Sequence, residues 1–191
     1  MPSLFEKLKS PHHLRQQLGG MFFLFLMVFS KSGMLPAERS WILPIGLLFY
    51  AVGLLGRIWA SGFLVKNDRL TTTGPYGRVR NPIYVSNLLL GAGLILLSGH
   101  YWAFVLLIFL YAVCYVPGMR VEEENLRARY GQAFESYAHA VPLIIPRATT
   151  AAGYGGDAWS AAAYLENREA PVTIGLMVGA AVVLFRSLSF L

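Results

Sequence analysis

Five apolar segments, each near the length of a membrane-spanning helix, dominate this chain of 191 residues. A helix needs about 20 mostly apolar residues to cross a bilayer. Hydrophobic residues make up 55% of the chain and charged residues only 14%, whereas a soluble domain carries about 25% charged residues. We therefore predict an all-α, polytopic integral membrane protein. The five predicted spans cover residues 18–35, 41–63, 83–98, 101–119 and 171–188.

The distribution of Lys and Arg predicts how these spans are oriented. Basic residues concentrate before the first span, between the second and third, and after the fourth. Because basic loops stay in the cytoplasm, we expect a cytoplasmic N-terminus and an external C-terminus, in a bacterial inner membrane or the endoplasmic reticulum. The net charge of +6 fits loops at an anionic membrane surface, and we expect no nucleic acid partner. Gly99 and His100 predict a tight turn between the third and fourth spans.

The segments between the spans suggest three parts. Residues 1–63 hold a polar tail and two membrane helices, and residues 64–146 hold a loop, a helical hairpin and an amphipathic helix. Residues 147–191 hold a linker, expected to be flexible from its Ala, Gly and Thr content, and a C-terminal membrane helix. The amphipathic helix is predicted because four apolar residues recur on one helical face; they are Leu126, Tyr130, Phe134 and Tyr137.

Many hydrogen-bonding side chains crowd the start of the third span. Gly74, Pro75 and Tyr76 have the composition of a turn. Pro82 suits the first position of a helix, and Asn81 before it can cap the free N–H groups. Each residue therefore has a structural explanation, but their density favours a binding site at the membrane surface.

Acidic and basic residues next to the spans are further candidates. Glu122, Glu123 and Glu124 follow the fourth span; they either form a solvated helical turn or turn inward to bind a cationic group, such as an amine or a sulfonium. Arg57 lies late in the second span, where an arginine faces a cavity or a partner or reaches the interface. We treat Arg57 as a candidate catalytic residue.

Gly91 and Gly93 lie inside the third span. Small residues at this spacing mostly allow close packing of helices, and they could also let an adenine or ribose approach the backbone. The four histidines and Cys114 make no metal-binding spacing, so no metal site is expected. The sequence contains no nucleophile–base motif, P-loop or G-x-G-x-x-G motif.

Four short blocks follow one another between about residues 53 and 146. They are Leu70-x-x-x-Gly74-Pro75-Tyr76, Arg80-Asn81-Pro82-x-Tyr84, Glu122-Glu123-x-x-Leu126-x-x-x-Tyr130-Gly131, and Tyr137 with Val141-Pro142. In order and spacing they resemble the isoprenylcysteine carboxyl methyltransferase family. These are integral membrane enzymes that use S-adenosylmethionine, and phospholipid N-methyltransferases are similar in this region.

The resemblance implies a cofactor pocket that the cytoplasmic amphipathic helix closes. Its implied cofactor-binding residues are Leu70, Thr71, Tyr76, Asn81, Pro82, Ile83, Tyr84 and Glu122, with Glu122 on the cofactor's amino group. We add Glu123, Gly91 and Gly93 from their positions. Arg120 lies near the place of a substrate-facing arginine of the family and is a candidate catalytic residue. The family usually has His at the position of Asn81, so a histidine acid–base role does not carry over.

The chemistry suits a site at the border of water and lipid. Methyl transfer mainly requires alignment of donor and acceptor, and tyrosine faces stabilise a sulfonium cation. The acceptor would be a lipophilic or lipidated substrate from the bilayer. A carboxylate acceptor calls for Arg120 or Arg57, and an amine calls for Glu123 or Glu124; the residues leave both open. The resemblance implies O-methylation of an isoprenylcysteine carboxylate, with N-methylation of a phospholipid or other lipid amine as the alternative.

Two other classes of protein stay possible. Sterol reductases that use NADPH look similar in the cofactor region but are usually much longer. A non-enzymatic membrane protein, such as an assembly factor, would not depend on Glu122 or Tyr84. The sequence does not predict an oligomeric state.

Overall fold

The computed structural model describes residues 19–26, 28, 36–65, 69–154 and 156–188. All regular elements within these ranges are helical, which confirms the all-α class. Besides the helical residues 19–26 and 28, the helices are α1 (Pro36–Ser61), α2 (Pro82–Ser98), α3 (Ala103–Leu110), α4 (Val116–Tyr130), α5 (Gln132–Ala140), α6 (Ala161–Glu166) and α7 (Glu169–Leu188). A 3-10 turn covers Gly74–Gly77, and a π-helical turn at Tyr111–Tyr115 joins α3 to α4.

Three helical stretches in the described ranges are long and apolar enough to cross a membrane. They are Trp41–Ser61, Ala103–Tyr130 and Glu169–Arg186, and they correspond to the second, fourth and fifth predicted spans. Only 22%, 17% and 28% of their apolar windows are buried, so most of their apolar surface is available to lipid.

Two predicted spans need separate comment. The third span is α2, whose 17 residues extend about 25 Å, less than the roughly 30 Å of a bilayer core. Residues 19–26 and 28 of the first span are helical, and its remainder lies outside the described residues, as does the N-terminal tail. The number of spans and their orientation therefore stay predictions.

The residues divide into two compact units. The first comprises the described residues of Met1–Tyr50, Gly91–Arg120 and Met177–Leu191. Within it, a Cβ on Gly93 would lie 2.6 Å from the backbone nitrogen of Tyr50. Glycine at this position thus allows α2 to approach α1 closely.

The turn after α2 also belongs to the first unit. Gly99 has φ +72°, and the Ala103 N–H donates to the His100 carbonyl over 2.8 Å. Glycine adopts this left-handed conformation without the steric cost that a side chain imposes. The tight turn predicted at Gly99 and His100 is present.

The second unit comprises Ala51–Leu90 and Val121–Leu176. Its buried core cluster is formed by Phe134, Tyr137, Val141 and Ala151, and the partly buried Leu70, Leu126, Tyr130, Ala138, Ala140 and Tyr154 pack against it. The four residues of the predicted amphipathic face therefore share one cluster. They belong to two helices, however, because Gly131 with φ +50° separates α4 from α5.

The segment that composition predicts to be a flexible linker is part of the second unit. The Arg147 N–H donates to the Arg78 carbonyl over 3.0 Å, and the Ala151 N–H donates to the Gly77 carbonyl over 2.9 Å. The Trp159 indole donates to the Ile58 carbonyl over 3.1 Å. Composition misses this order because the hydrogen bonds use backbone groups and a single tryptophan.

Candidate functional site

A buried turn, Gly74–Gly77, sets the position of Tyr76 in the second unit. Gly74 has φ +59°, and a Cβ there would lie 2.7 Å from the Phe63 ring. The Tyr137 hydroxyl donates to the Tyr76 carbonyl over 2.8 Å. Burial raises the pKa of Tyr137, so this hydroxyl stays protonated and keeps donating. The turn is thus fixed from one side by Phe63 and from the other by α5.

The chain between this turn and α2 is held by residues after α5. The Arg80 N–H donates to the Pro142 carbonyl over 2.9 Å. Asn81 is 8% exposed, and its side-chain amide donates to the Leu143 carbonyl over 3.3 Å. The second and fourth sequence blocks therefore meet through backbone contacts, and Pro82 begins α2 beside them.

Two carboxylates of α4 contact residues at the start of α2 or just before it. The Tyr84 hydroxyl donates to Glu122 Oε2 over 2.9 Å. Arg80 Nη1 lies 3.0 Å from Glu123 Oε1, with both side chains mostly buried, whereas Glu124 is exposed. The structure thus brings together the acidic block and the Arg80–Tyr84 block.

The hydrogen bonding of this cluster is incomplete among the described residues. Arg80 Nε and Glu123 Oε1 are buried without a hydrogen-bond partner, although the two side chains form an ion pair. Arg78 Nε is also buried without one, while its guanidinium lies 5.5 Å from the Trp59 ring centroid. A buried polar group without a partner is costly, so these atoms retain capacity to bind a polar ligand.

Arg57 has two partners that the sequence did not predict. Its Nε and Nη2 each donate over 2.9 Å to a different oxygen of Glu169. Its Nη1 donates to Asn87 Oδ1 over 2.5 Å. The side chains of Arg57 and Glu169 are 14% and 11% exposed. Glu169 and Asn87 could have been found from the sequence, because each is a single polar residue inside or beside an apolar span and such residues usually have a partner.

The Tyr76 hydroxyl experiences the electrostatic field of this cluster. Burial raises the pKa of Tyr76 well above its usual range; the carboxylates of Glu122 and Glu169 raise it further, and the Arg57 guanidinium lowers it. Tyr84 and Asn87 lie three positions apart on α2, so they share one helical face. Glu122 and the Arg57–Glu169 pair are therefore held by neighbouring side chains of that face.

Leu70 and Thr71 lie in the loop after α1. Leu70 packs against the core cluster, and Thr71 Oγ1 accepts the Val65 N–H over 3.1 Å. Ile83 is half-buried in the first turn of α2. These contacts hold the predicted cofactor-binding residues in the second unit, and their binding roles stay predictions.

Three predicted site residues lie in the first unit. Arg120 is exposed. A Cβ on Gly91 would lie 2.9 Å from Leu107 Cδ1, and Gly93 approaches the Tyr50 backbone as described above. The two glycines thus have packing roles in the structure, and roles in cofactor binding or catalysis for the three residues stay predictions.

A cavity of about 340 Å³ lies in the second unit. Its lining includes Phe63, Arg69, Asp157 and Ser160. Among the residues that the structure describes, no group of three or more His, Cys, Asp or Glu could hold a metal ion.

Comparison with known proteins assigns a family to the central stretch. A family model described as phospholipid methyltransferase matches residues 43–133. This range contains α1 from its eighth residue, α2 and α4, and hence Arg57, Tyr84 and Glu122. Glu169 lies outside it.

Two curated bacterial proteins are similar to the chain. The cobalt-zinc-cadmium resistance protein CzcN of Cupriavidus metallidurans is 30% identical over 116 residues, which cover 58% of this chain and 53% of that protein. The nickel-cobalt-cadmium resistance protein NccN of Alcaligenes xylosoxydans xylosoxydans is 31% identical over 116 residues, covering 58% and 54%. The chain spans about half the length of these relatives.

No solved structure gives a significant match to the chain. The family match agrees with the blocks read from the sequence, because three of the four blocks lie inside residues 43–133; the fourth, at Tyr137 and Val141-Pro142, lies outside. The resemblance indicated by the sequence motifs is therefore confirmed for residues 43–133, which match a family model of phospholipid methyltransferases, a family related to the isoprenylcysteine carboxyl methyltransferases.

Proposed function

We propose that this protein transfers a methyl group from S-adenosylmethionine to a lipophilic acceptor at the cytoplasmic surface of the membrane. The observation that carries the proposal is the contact between Tyr84 and Glu122, which joins two motif blocks of the matched family stretch around the buried Tyr76.

The residues present suit this cofactor. Glu122, held by the Tyr84 hydroxyl, would bind the amino group as a charge-assisted hydrogen-bond acceptor. The faces of Tyr76 and Tyr84 would stabilise the positive sulfonium by about 0.5–2 kcal/mol each. Leu70, Thr71 and the Asn81–Pro82–Ile83 turn would contact the remaining parts. The cofactor supplies a methyl group that the sulfonium already activates.

The protein would mainly align the two reactants. No covalent nucleophile is needed for an in-line transfer, and correct alignment can lower the barrier by about 7–11 kcal/mol at most. Arg57, Glu122 and Glu169 belong to the three apolar helices, whose apolar windows are mostly exposed. A lipid acceptor would therefore reach the cluster from the bilayer and the polar cofactor from the cytosol.

The contacts of Arg57 favour an amine acceptor over a carboxylate. Arg57 already donates to both oxygens of Glu169, so a substrate carboxylate would have to compete with a bidentate internal partner. Glu123 Oε1 accepts no hydrogen bond but lies 3.0 Å from Arg80 Nη1, so it would exchange this single ion-pair contact for the amine before transfer. We therefore favour a phospholipid or other lipid amine, with the carboxylate of a prenylated cysteine as the second candidate, for which Arg120 would be the arginine.

Calorimetry of the full chain in detergent tests the cofactor. We expect binding of S-adenosylmethionine and none of NADPH; the reverse result would point to a reductase. Release of S-adenosylhomocysteine then tests the acceptor, with phosphatidylethanolamine vesicles compared with a farnesylated cysteine analogue. Turnover with the farnesylated analogue alone would contradict the amine assignment.

A further inference from the structure

We propose that Glu169, at the start of α7, sets the charge of the cofactor site so that it favours a cationic sulfonium over a neutral thioether. This inference rests on the proposed function, because it assumes that the sulfonium lies beside Tyr76. It adds a residue that lies outside the matched family stretch of residues 43–133.

The first step is the geometry of α2. Tyr84 binds Glu122 over 2.9 Å, and Asn87 binds Arg57 over 2.5 Å. Residues three apart on a helix are neighbours on its surface. Glu122 and the Arg57–Glu169 pair are therefore fixed side by side by the same face of α2.

The second step is the burial of these groups. Glu169 is 8% exposed, and its carboxylate is held at two points by Arg57. Electrostatic interactions between buried groups are screened far less than those at the surface. A change in the charge of Glu169 would thus be felt by a ligand beside Tyr76.

The third step is the net charge of the cluster. Of the side chains that Tyr84 and Asn87 hold side by side, Glu122 and Glu169 each carry one negative charge and Arg57 carries one positive charge, so these three groups together are negative. The neighbouring Arg80–Glu123 ion pair adds no net charge. Without Glu169, the Arg57 charge would cancel that of Glu122. The site would then lose the field that distinguishes a sulfonium from the thioether that remains after methyl transfer.

The two forms of the cofactor provide the test, since S-adenosylmethionine and S-adenosylhomocysteine differ by one methyl group and one positive charge. The dissociation constant of each would be measured calorimetrically for the full chain in detergent. Glu169→Gln should reduce the preference for S-adenosylmethionine by about tenfold. A purely structural role for Glu169 would weaken both ligands equally, and that result would overturn the inference.

Two further variants make the test specific to charge. The double variant Arg57→Gln/Glu169→Gln keeps the net charge of the cluster and should return the preference to the wild-type value; failure to do so contradicts the inference. Glu166→Gln removes an exposed carboxylate nearby in sequence and should leave the preference unchanged.

The outcome separates the two proposals. If the wild-type protein binds neither ligand, the proposed function fails and this inference fails with it. If it binds both and Glu169→Gln leaves their ratio unchanged, only the inference fails. Should Glu169→Gln not fold, Arg57→Gln provides the opposite change: the preference for S-adenosylmethionine should increase, and an unchanged preference would overturn the inference.

Discussion

At the scale of single residues, the contact between Tyr84 and Glu122 connects sequence motifs that lie 38 positions apart. The sequence identified both residues, because their motifs have recognisable spacing. It could not identify Glu169 as the partner of Arg57, since 112 positions separate them and no motif includes Glu169. Long-range pairs of this kind depend on how the helices pack, which local patterns do not encode.

Replacing Glu122 tests the residue on which cofactor binding depends most. Glu122→Gln keeps the size of the side chain but removes the charge that would bind the cofactor's amino group. We expect the affinity for S-adenosylmethionine to fall by about 1.5–3 kcal/mol, or roughly ten- to a hundredfold. The variant protein should still insert into the membrane and purify as the wild type does. Calorimetry measures the effect. Glu124→Gln is the matched control, since Glu124 is exposed; equal losses in both variants would remove Glu122 from the site.

At the scale of elements, Gly131 divides one predicted amphipathic helix into α4 and α5. The periodicity of the apolar residues correctly predicted which side chains share a buried face, because all four contribute to one cluster; they are Leu126, Tyr130, Phe134 and Tyr137. Periodicity alone could not locate the break, since an isolated glycine is tolerated inside helices. The backbone of Gly131, with φ +50°, allows α5 to turn its aromatic residues into the core.

Gly131→Ala tests this break. No atom lies within 4 Å of an added Cβ, so the effect should come from backbone strain alone. We expect a loss of about 1 kcal/mol or more in stability, measured by thermal unfolding in detergent. Gly175→Ala in α7, where a Cβ also meets open space, should cause no loss. Equal unfolding temperatures for the wild type and Gly131→Ala would show that a residue with a Cβ adopts this backbone conformation without strain, and would contradict the prediction.

The variant Gly93→Ala tests whether this small residue of α2 is needed for helix packing or for binding the cofactor. Because an added Cβ would lie 2.6 Å from the Tyr50 backbone, Gly93→Ala should destabilise the protein by about 1–3 kcal/mol. If packing is its role, the folded variant should bind S-adenosylmethionine as the wild type does. Gly20→Ala, which meets no atom within 4 Å, is the control. Loss of affinity without loss of stability would instead support the predicted contact with the cofactor.

At the scale of the whole molecule, composition was sufficient to predict an all-α membrane protein. The mean hydropathy of +0.51 and the small fraction of charged residues, 14%, leave too little polar surface for a soluble domain. Composition was misleading for residues 147–168, where Ala and Gly suggested flexibility and the structure has hydrogen bonds to Gly77 and Arg78. Backbone pairing is invisible to an argument from side-chain polarity.

The predicted orientation can be tested by cysteine labelling. In a Cys114→Ser background, Ile145→Cys should react with a membrane-impermeant maleimide only in inside-out vesicles, since residue 145 is 80% exposed and lies in a basic segment that is predicted to be cytoplasmic. Trp102→Cys, next to the turn between the third and fourth spans, should react only from the opposite side. Labelling of both from one side would overturn the topology.

The position of Glu169 has a consequence for where the functional protein ends. A version shortened to residue 146 would keep every recognised motif, yet its Arg57 would lack a counter-ion in an environment of low polarity. Removing one partner of a buried ion pair typically costs about 3–5 kcal/mol. The end of the motif-bearing stretch is thus a poor guide to the smallest unit that can fold, because the counter-ion of Arg57 lies two helices further along the chain, at the start of α7.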